Sequence, residues 1–204
     1  MDKGREAVMQ DAFVGTWARE SHLSAEILDS LRDLNHRFLD LAAVRTEWVA
    51  GQIAPLSAAQ RAAAAGCPYA LFDLRFQDDG YWRSRLQELG SWYVADESAV
   101  DGATVSFVRL ALFYAWHVAS SEGIKAQLLL GMNGGTAAAF RRITVNQLPA
   151  LVATEAQHLS ARWSGCTAYW SALTAAAARA DPKRLRRVQL QGLQLAAAAR
   201  LPGP

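Results

Sequence analysis

Leu56-Ser57-Ala58-Ala59-Gln60 returns 87 residues later as Ile143-Thr144-Val145-Asn146-Gln147. At the same offset Arg75-Phe76 returns as Arg162-Trp163 and Leu86 as Leu173. Trp82 answers to Trp170 once one residue is inserted before it. Upstream, Leu34 and Phe38 answer to Leu110 and Tyr114 at an offset of 76, so the second copy carries about eleven extra residues between its first two matched blocks. A diverged duplication of this kind predicts two like units packed around a pseudo-twofold axis.

Working outward, the periodicity is helical. Ile27, Leu31, Leu34, Phe38 and Leu41 form one seam, which predicts a helix capped by Ser24 and running to Trp48, with Arg45 its single break and Gly51 to Pro55 its end. Ser57 with Gln60, and Thr144 with Gln147, are capping boxes that each start a short helix. Pro149 is expected to cost the second one a hydrogen bond. Gln77 to Gly80 reads as a turn, followed by a helix over Tyr81 to Leu89. Thr104 to Ala119 is apolar nearly all round and predicts a deeply buried helix, with His117 as a hydrogen-bonded core residue. Ile124 to Met132 is helical, with Asn133-Gly134-Gly135 expected to supply its left-handed end and Thr136 expected to cap the next helix. Asp181-Pro182 places an N-cap and a first-turn proline before a last helix whose inner face is Leu185, Val188, Gly192, Leu195 and Ala199. No segment alternates over a strand length.

Composition limits the function. The 204 residues are 51% hydrophobic and 20% charged, with a net charge of +2, so no global field draws the chain to nucleic acid or membrane. The most apolar stretch, Val105 to Ala119, is too short to span a bilayer. Cys67 and Cys166 occupy unmatched positions and make neither a disulfide framework nor a zinc site, which fits a cytoplasmic location. No histidine pair has metal-helix spacing, and no nucleophile elbow or phosphate loop occurs. No catalytic residue, metal or cofactor is expected.

The order and spacing of the blocks resemble the FlhD family, a subunit of the flagellar transcription regulator. The second copy carries Ala126-Gln127-Leu128-Leu129-Leu130-Gly131-Met132, then Ile143-Thr144-x-x-Gln147, then Leu159-x-x-Arg162-Trp163, and last Leu185-x-x-Val188 with Gly192-Leu193-x-Leu195. In the first copy, Leu31-Arg32-Asp33-Leu34-Asn35-x-x-Phe38-Leu39-x-Leu41-Ala42 is similar to the family's first helix. The first copy lacks the Leu-Gly-Met block, and the family's dimer-linking cysteine falls near Phe72 and Ser160. The resemblance implies an all-α fold: two tandem FlhD-like helical repeats packed as an intrachain pseudo-dimer. The expected layout is a leader over 1–21, a first repeat over 22–90, a linker over 91–103 and a second repeat over 104–204. It also implies a non-enzymatic regulator of transcription acting through a protein partner, either an FlhC-like subunit or another regulator, and through DNA; further self-association is compatible with it.

Candidate site residues carry two readings each. Lys183, Arg184, Arg186 and Arg187 suit DNA phosphates or a solvated face, and Arg141 and Arg142 suit an extension of that patch or an exposed loop. Basic side chains at a helix start oppose its dipole, which favours a ligand. Arg75 and Arg162 suit partner binding, or stacking on the neighbouring ring and tying of loop carbonyls. Of the seven tryptophans, Trp82, Trp163 and Trp170 follow the repeat and suit packing. Trp17, Trp48 and Trp92 lie outside it and suit partner anchors or cover for the joint between copies. An adaptor without DNA binding, and a helical ligand-binding protein or enzyme, are the competing functional readings.

Overall fold

A computed structural model describes residues 25–44, 48–88 and 100–199. The chain is largely helical. Helix α1 covers residues 25–42. It is followed by α2 (Trp48–Ile53), α3 (Ala58–Ala64), the short strand β1 (Phe72–Asp73) and α4 (Asp79–Glu88). The C-terminal part holds α5 (Gly102–Ser121), α6 (Gly123–Leu130), α7 (Gly134–Phe140) and α8 (Leu148–Glu155), then β2 (Ser160–Ala161), α9 (Thr167–Ala178) and α10 (Pro182–Ala198). Single 3-10 turns flank α8 at Val145–Gln147 and Ala156–His158. The leader over 1–21, the Ser24 cap and most of the 91–103 linker lie outside the described residues.

One apolar cluster runs from Ile27 to Val188 and draws on both parts of the chain. Ile27, Leu31, Leu34 and Phe38 are buried along α1 as their spacing predicts. Helix α1 lies antiparallel to α5: Tyr114 donates to the Ile27 carbonyl at 3.0 Å, and the Phe38 and Phe107 rings stand 5.9 Å apart. Between the two parts, β1 and β2 form an antiparallel ribbon pairing Phe72 with Ala161 and Asp73 with Ser160. Contacts across the joint come in matched sets. Helix α9 takes α2 and α3, with Gln60 donating to the Ala178 carbonyl at 2.8 Å. Helix α4 takes α7, and reaches α8 through Tyr81, which donates to Glu155 at 2.7 Å. After each strand the chain turns through a left-handed residue, Arg75 (φ 57°) or Trp163 (φ 53°), and a buried indole N–H then bonds back to that corner. Trp82 reaches the Arg75 carbonyl at 3.1 Å, and Trp170 the Arg162 carbonyl at 3.0 Å. Helices α2 and α7 sit about 87 residues apart, as do the two boxed turns. Helix α6 falls in the stretch where the expected repeat places its extra residues.

Both capping boxes form. Ser57 N–H donates to Gln60 at 2.8 Å and Thr144 N–H to Gln147 at 2.9 Å. Several expectations are corrected. Helix α1 ends at residue 42 and a separate α2 follows, because a continued seam would turn Arg45 inward, whereas the break lets Val49, Ala50 and Ile53 bury. Gly51 therefore lies inside a helix. Pro149 sits in the first turn of α8, where backbone N–H groups lack helical partners anyway, so it costs nothing there. The left-handed end of α6 is Gly131 (φ 74°). Asn133 instead caps α7, accepting from Thr136 N–H at 2.7 Å, while the Thr136 side chain is buried. Helix α5 keeps an outer stripe through Ser106, Leu110 and His117, because its packing partners cover only the other sides; His117 is exposed rather than a core residue. The face of α10 closes with Ala196, not Ala199. The ribbon itself, two residues per strand, is too short to alternate.

Candidate nucleic-acid interface

The site is built by α10. Asp181 accepts from the N–H groups of Lys183 and Arg184, both at 3.0 Å, and Pro182 opens the helix with its fixed φ. Val188, Gly192 and Ala196 then face inward against the body. Gly192 has no side chain because the Tyr69 ring and hydroxyl fill that space. That hydroxyl lies 3.1 Å from the Tyr169 hydroxyl and donates to the Val188 carbonyl at 3.4 Å, while Gln189 donates to the Gly66 carbonyl at 3.0 Å. These bonds fix the rotation of α10 about its axis. Lys183, Arg184, Arg186 and Arg187 consequently point to solvent. Helix α10 contains no Asp or Glu, and among the described residues none of the four cations forms an ion pair. Four positive charges in two turns at the positive end of a helix dipole repel one another and the dipole, so an anion placed there relieves both.

Arg141 and Arg142 are also exposed, at the end of α7, where Trp116 holds the Ile143 carbonyl at 2.8 Å. Helix α7 packs chiefly on α4, α5 and α6, whereas α10 packs on α9, and no described bond joins the two basic groups. Arg142 instead lines a groove of about 460 Å³ with Asp79, Arg83, Gln87 and Gln147. Arg75 and Arg162, matched in the expected repeat, have different surroundings. Arg75 is exposed, bonds Asp78 at 2.7 Å and lies 4.0 Å above the Tyr81 ring. Arg162 is buried against Gly131, donates to the Leu129 carbonyl at 3.2 Å and stacks on Trp163 at 4.5 Å. Arg162 thus stacks on its neighbouring ring and ties a loop carbonyl, whereas Arg75 passes over Phe76 for Tyr81 and pairs with a carboxylate. Trp82 and Trp170 are fully buried. Trp17 and Trp92 lie outside the described residues; Trp48 opens α2, and its side chain likewise lies outside them.

Three further polar groups are buried, of which Asn35 and Glu155 were given no role by the sequence. Asn35 is fully buried, donates to the carbonyls of Ala65, Cys67 and Tyr69 and accepts from Leu71 N–H at 2.9 Å. Cys67 sits beside Tyr169, and burial pushes its thiol up to about 11. Glu155 is fully buried and takes Tyr81, Arg85 (3.4 Å) and Thr154 (3.3 Å) on one oxygen. Its other oxygen has no partner among the described residues, and burial raises its pKa above the usual carboxylate value. No helix among the described residues is long and apolar enough to cross a membrane. Comparison with family models, curated proteins and solved structures finds no match to this chain.

Proposed function

We propose that this chain is a non-enzymatic regulator of transcription, built as two fused FlhD-like units, that holds DNA phosphates with the start of α10 and works with a protein partner. The fused-dimer reading is supported by the β1–β2 ribbon, which lies where the sequence resemblance puts the family's dimer-linking residues, near Phe72 and Ser160. It is supported also by the matched left-handed corners and indole bonds. The DNA reading rests on one observation: Lys183, Arg184, Arg186 and Arg187 are held outward on a helix without a single carboxylate.

A gel shift tests it. The chain retards duplex DNA at low salt, releases it as salt rises, and loses it when Arg184 and Arg187 are both replaced by Ala. The second reading is an adaptor that has kept its helical surfaces and lost DNA binding. Leu190 and Leu193, 56% and 38% exposed beyond the basic turns, favour a protein contact on α10. Absence of any shift at low salt selects that reading.

A further inference from the structure

We propose that the groove between the end of α1 and the start of α5 is the surface through which two copies of this chain associate. At the end of α1, Arg37, Asp40 and the half-buried Leu41, with Val44 in the turn that follows, recur at helix spacing beside the buried Phe38, Leu39 and Ala42. On α5, Ala103, Ser106 and Leu110 supply the other wall of a groove of about 430 Å³. Val44 is 82% exposed and Leu110 45% exposed, so the rim presents aliphatic surface to water. The small side chains of Ala103 and Ser106 leave room for a helix to approach.

Charge selects the occupant. Arg37 and Asp40 both line the groove, opposite in sign and one turn apart. A twofold contact that sets α1 antiparallel to its copy brings each Arg37 to the other copy's Asp40, twice over. A partner carrying charge of one sign only would place a like charge on one of the two. The present bonds permit the exchange. Arg37 pairs with Asp33 at 2.8 Å with both side chains more than half exposed, a bond of little strength. Asp40 bonds Arg61 through one oxygen at 2.6 Å; the other stands 3.7 Å from His36. Helix α10 cannot serve the same purpose, since copy against copy would oppose its four cations. The groove is on α1 and α5 and α10 packs on α9, so this surface stands or falls apart from DNA binding.

Sedimentation equilibrium of the full chain tests it, from about 1 to about 100 µM, a range that detects micromolar dissociation constants. The expected mass at the upper end is twice 22.2 kDa. Val44→Glu and Leu110→Glu, both at exposed side chains, return the monomer mass with unchanged helical circular dichroism. Arg37→Asp and Asp40→Arg each weaken association about tenfold or more, and the double variant restores it, as expected for paired interfacial charges. A wild-type mass of 22.2 kDa throughout overturns the proposal. So does a dimer that is indifferent to Val44→Glu, or a double variant as weak as the single ones.

Discussion

The Tyr69 hydroxyl occupies the space that a Cβ on Gly192 would fill. A ring from the loop after α3 thereby fixes the last helix of the chain, because only glycine admits it. Gly192→Ala must push Tyr69 off its bonds to Tyr169 and Val188 or lift α10. The expected loss is about 2–3 kcal/mol in urea unfolding, in the range of overpacking.

Asn35 closes the same loop from the other side. Its amide serves the carbonyls of Ala65, Cys67 and Tyr69 and the N–H of Leu71, from the C-cap of α3 into the loop that follows. Asn35→Leu leaves those groups unsatisfied in the core, and stability falls by about 3 kcal/mol or more. Asn35→Asp is no rescue, since it sets a carboxylate oxygen against carbonyls. Chemical denaturation of both variants checks this.

Glu155 gives stability a pH dependence of definite sign. Burial raises its folded pKa above the ordinary 4.5. The folded state therefore holds the proton more tightly than the unfolded chain between those two values. The contribution is fully present below the unfolded pKa and is lost as pH rises through the folded one. Asp73 is shifted the same way by burial. Wild-type minus Glu155→Gln stability should therefore decrease from pH 4 to pH 7, a difference that isolates Glu155 from the other carboxylates.

The two thiols should separate under labelling. Cys67 is buried, with its thiol pushed up to about 11, and Cys166 is partly exposed. At pH 8 a thiol reagent followed by mass spectrometry modifies Cys166 in the folded protein, and Cys67 only after denaturation. Rapid native labelling of Cys67 would place the loop after α3 in water.

Local chemistry was the legible part of the sequence. Both capping boxes and Asp181-Pro182 are decided by neighbours within four residues and each appears as read, as does the α1 seam from Ile27 to Phe38. What escaped depends on distant partners. The end of α1 is set by the burial of Val49, Ala50 and Ile53, and the exposure of His117 by which sides of α5 its neighbours cover. Glu155 meets Tyr81 across 74 residues, and no periodicity announces it. Gly131 took the left-handed position expected of the next glycines because the Arg162 guanidinium lies against it. At the candidate site, the residues of α10 were legible as a charge run. Their outward orientation was not, because Tyr69, Gly66 and Tyr169 fix it.

The salt dependence of DNA affinity tests the functional account most directly. Fluorescence anisotropy with a labelled duplex measures log affinity against log salt for wild type and for the Arg184→Ala/Arg187→Ala variant. Removing two phosphate contacts lowers the magnitude of the slope by about 2, from about 0.9 per contact. Equal slopes for the two proteins, or no binding to any duplex at low salt, would contradict the role assigned to α10.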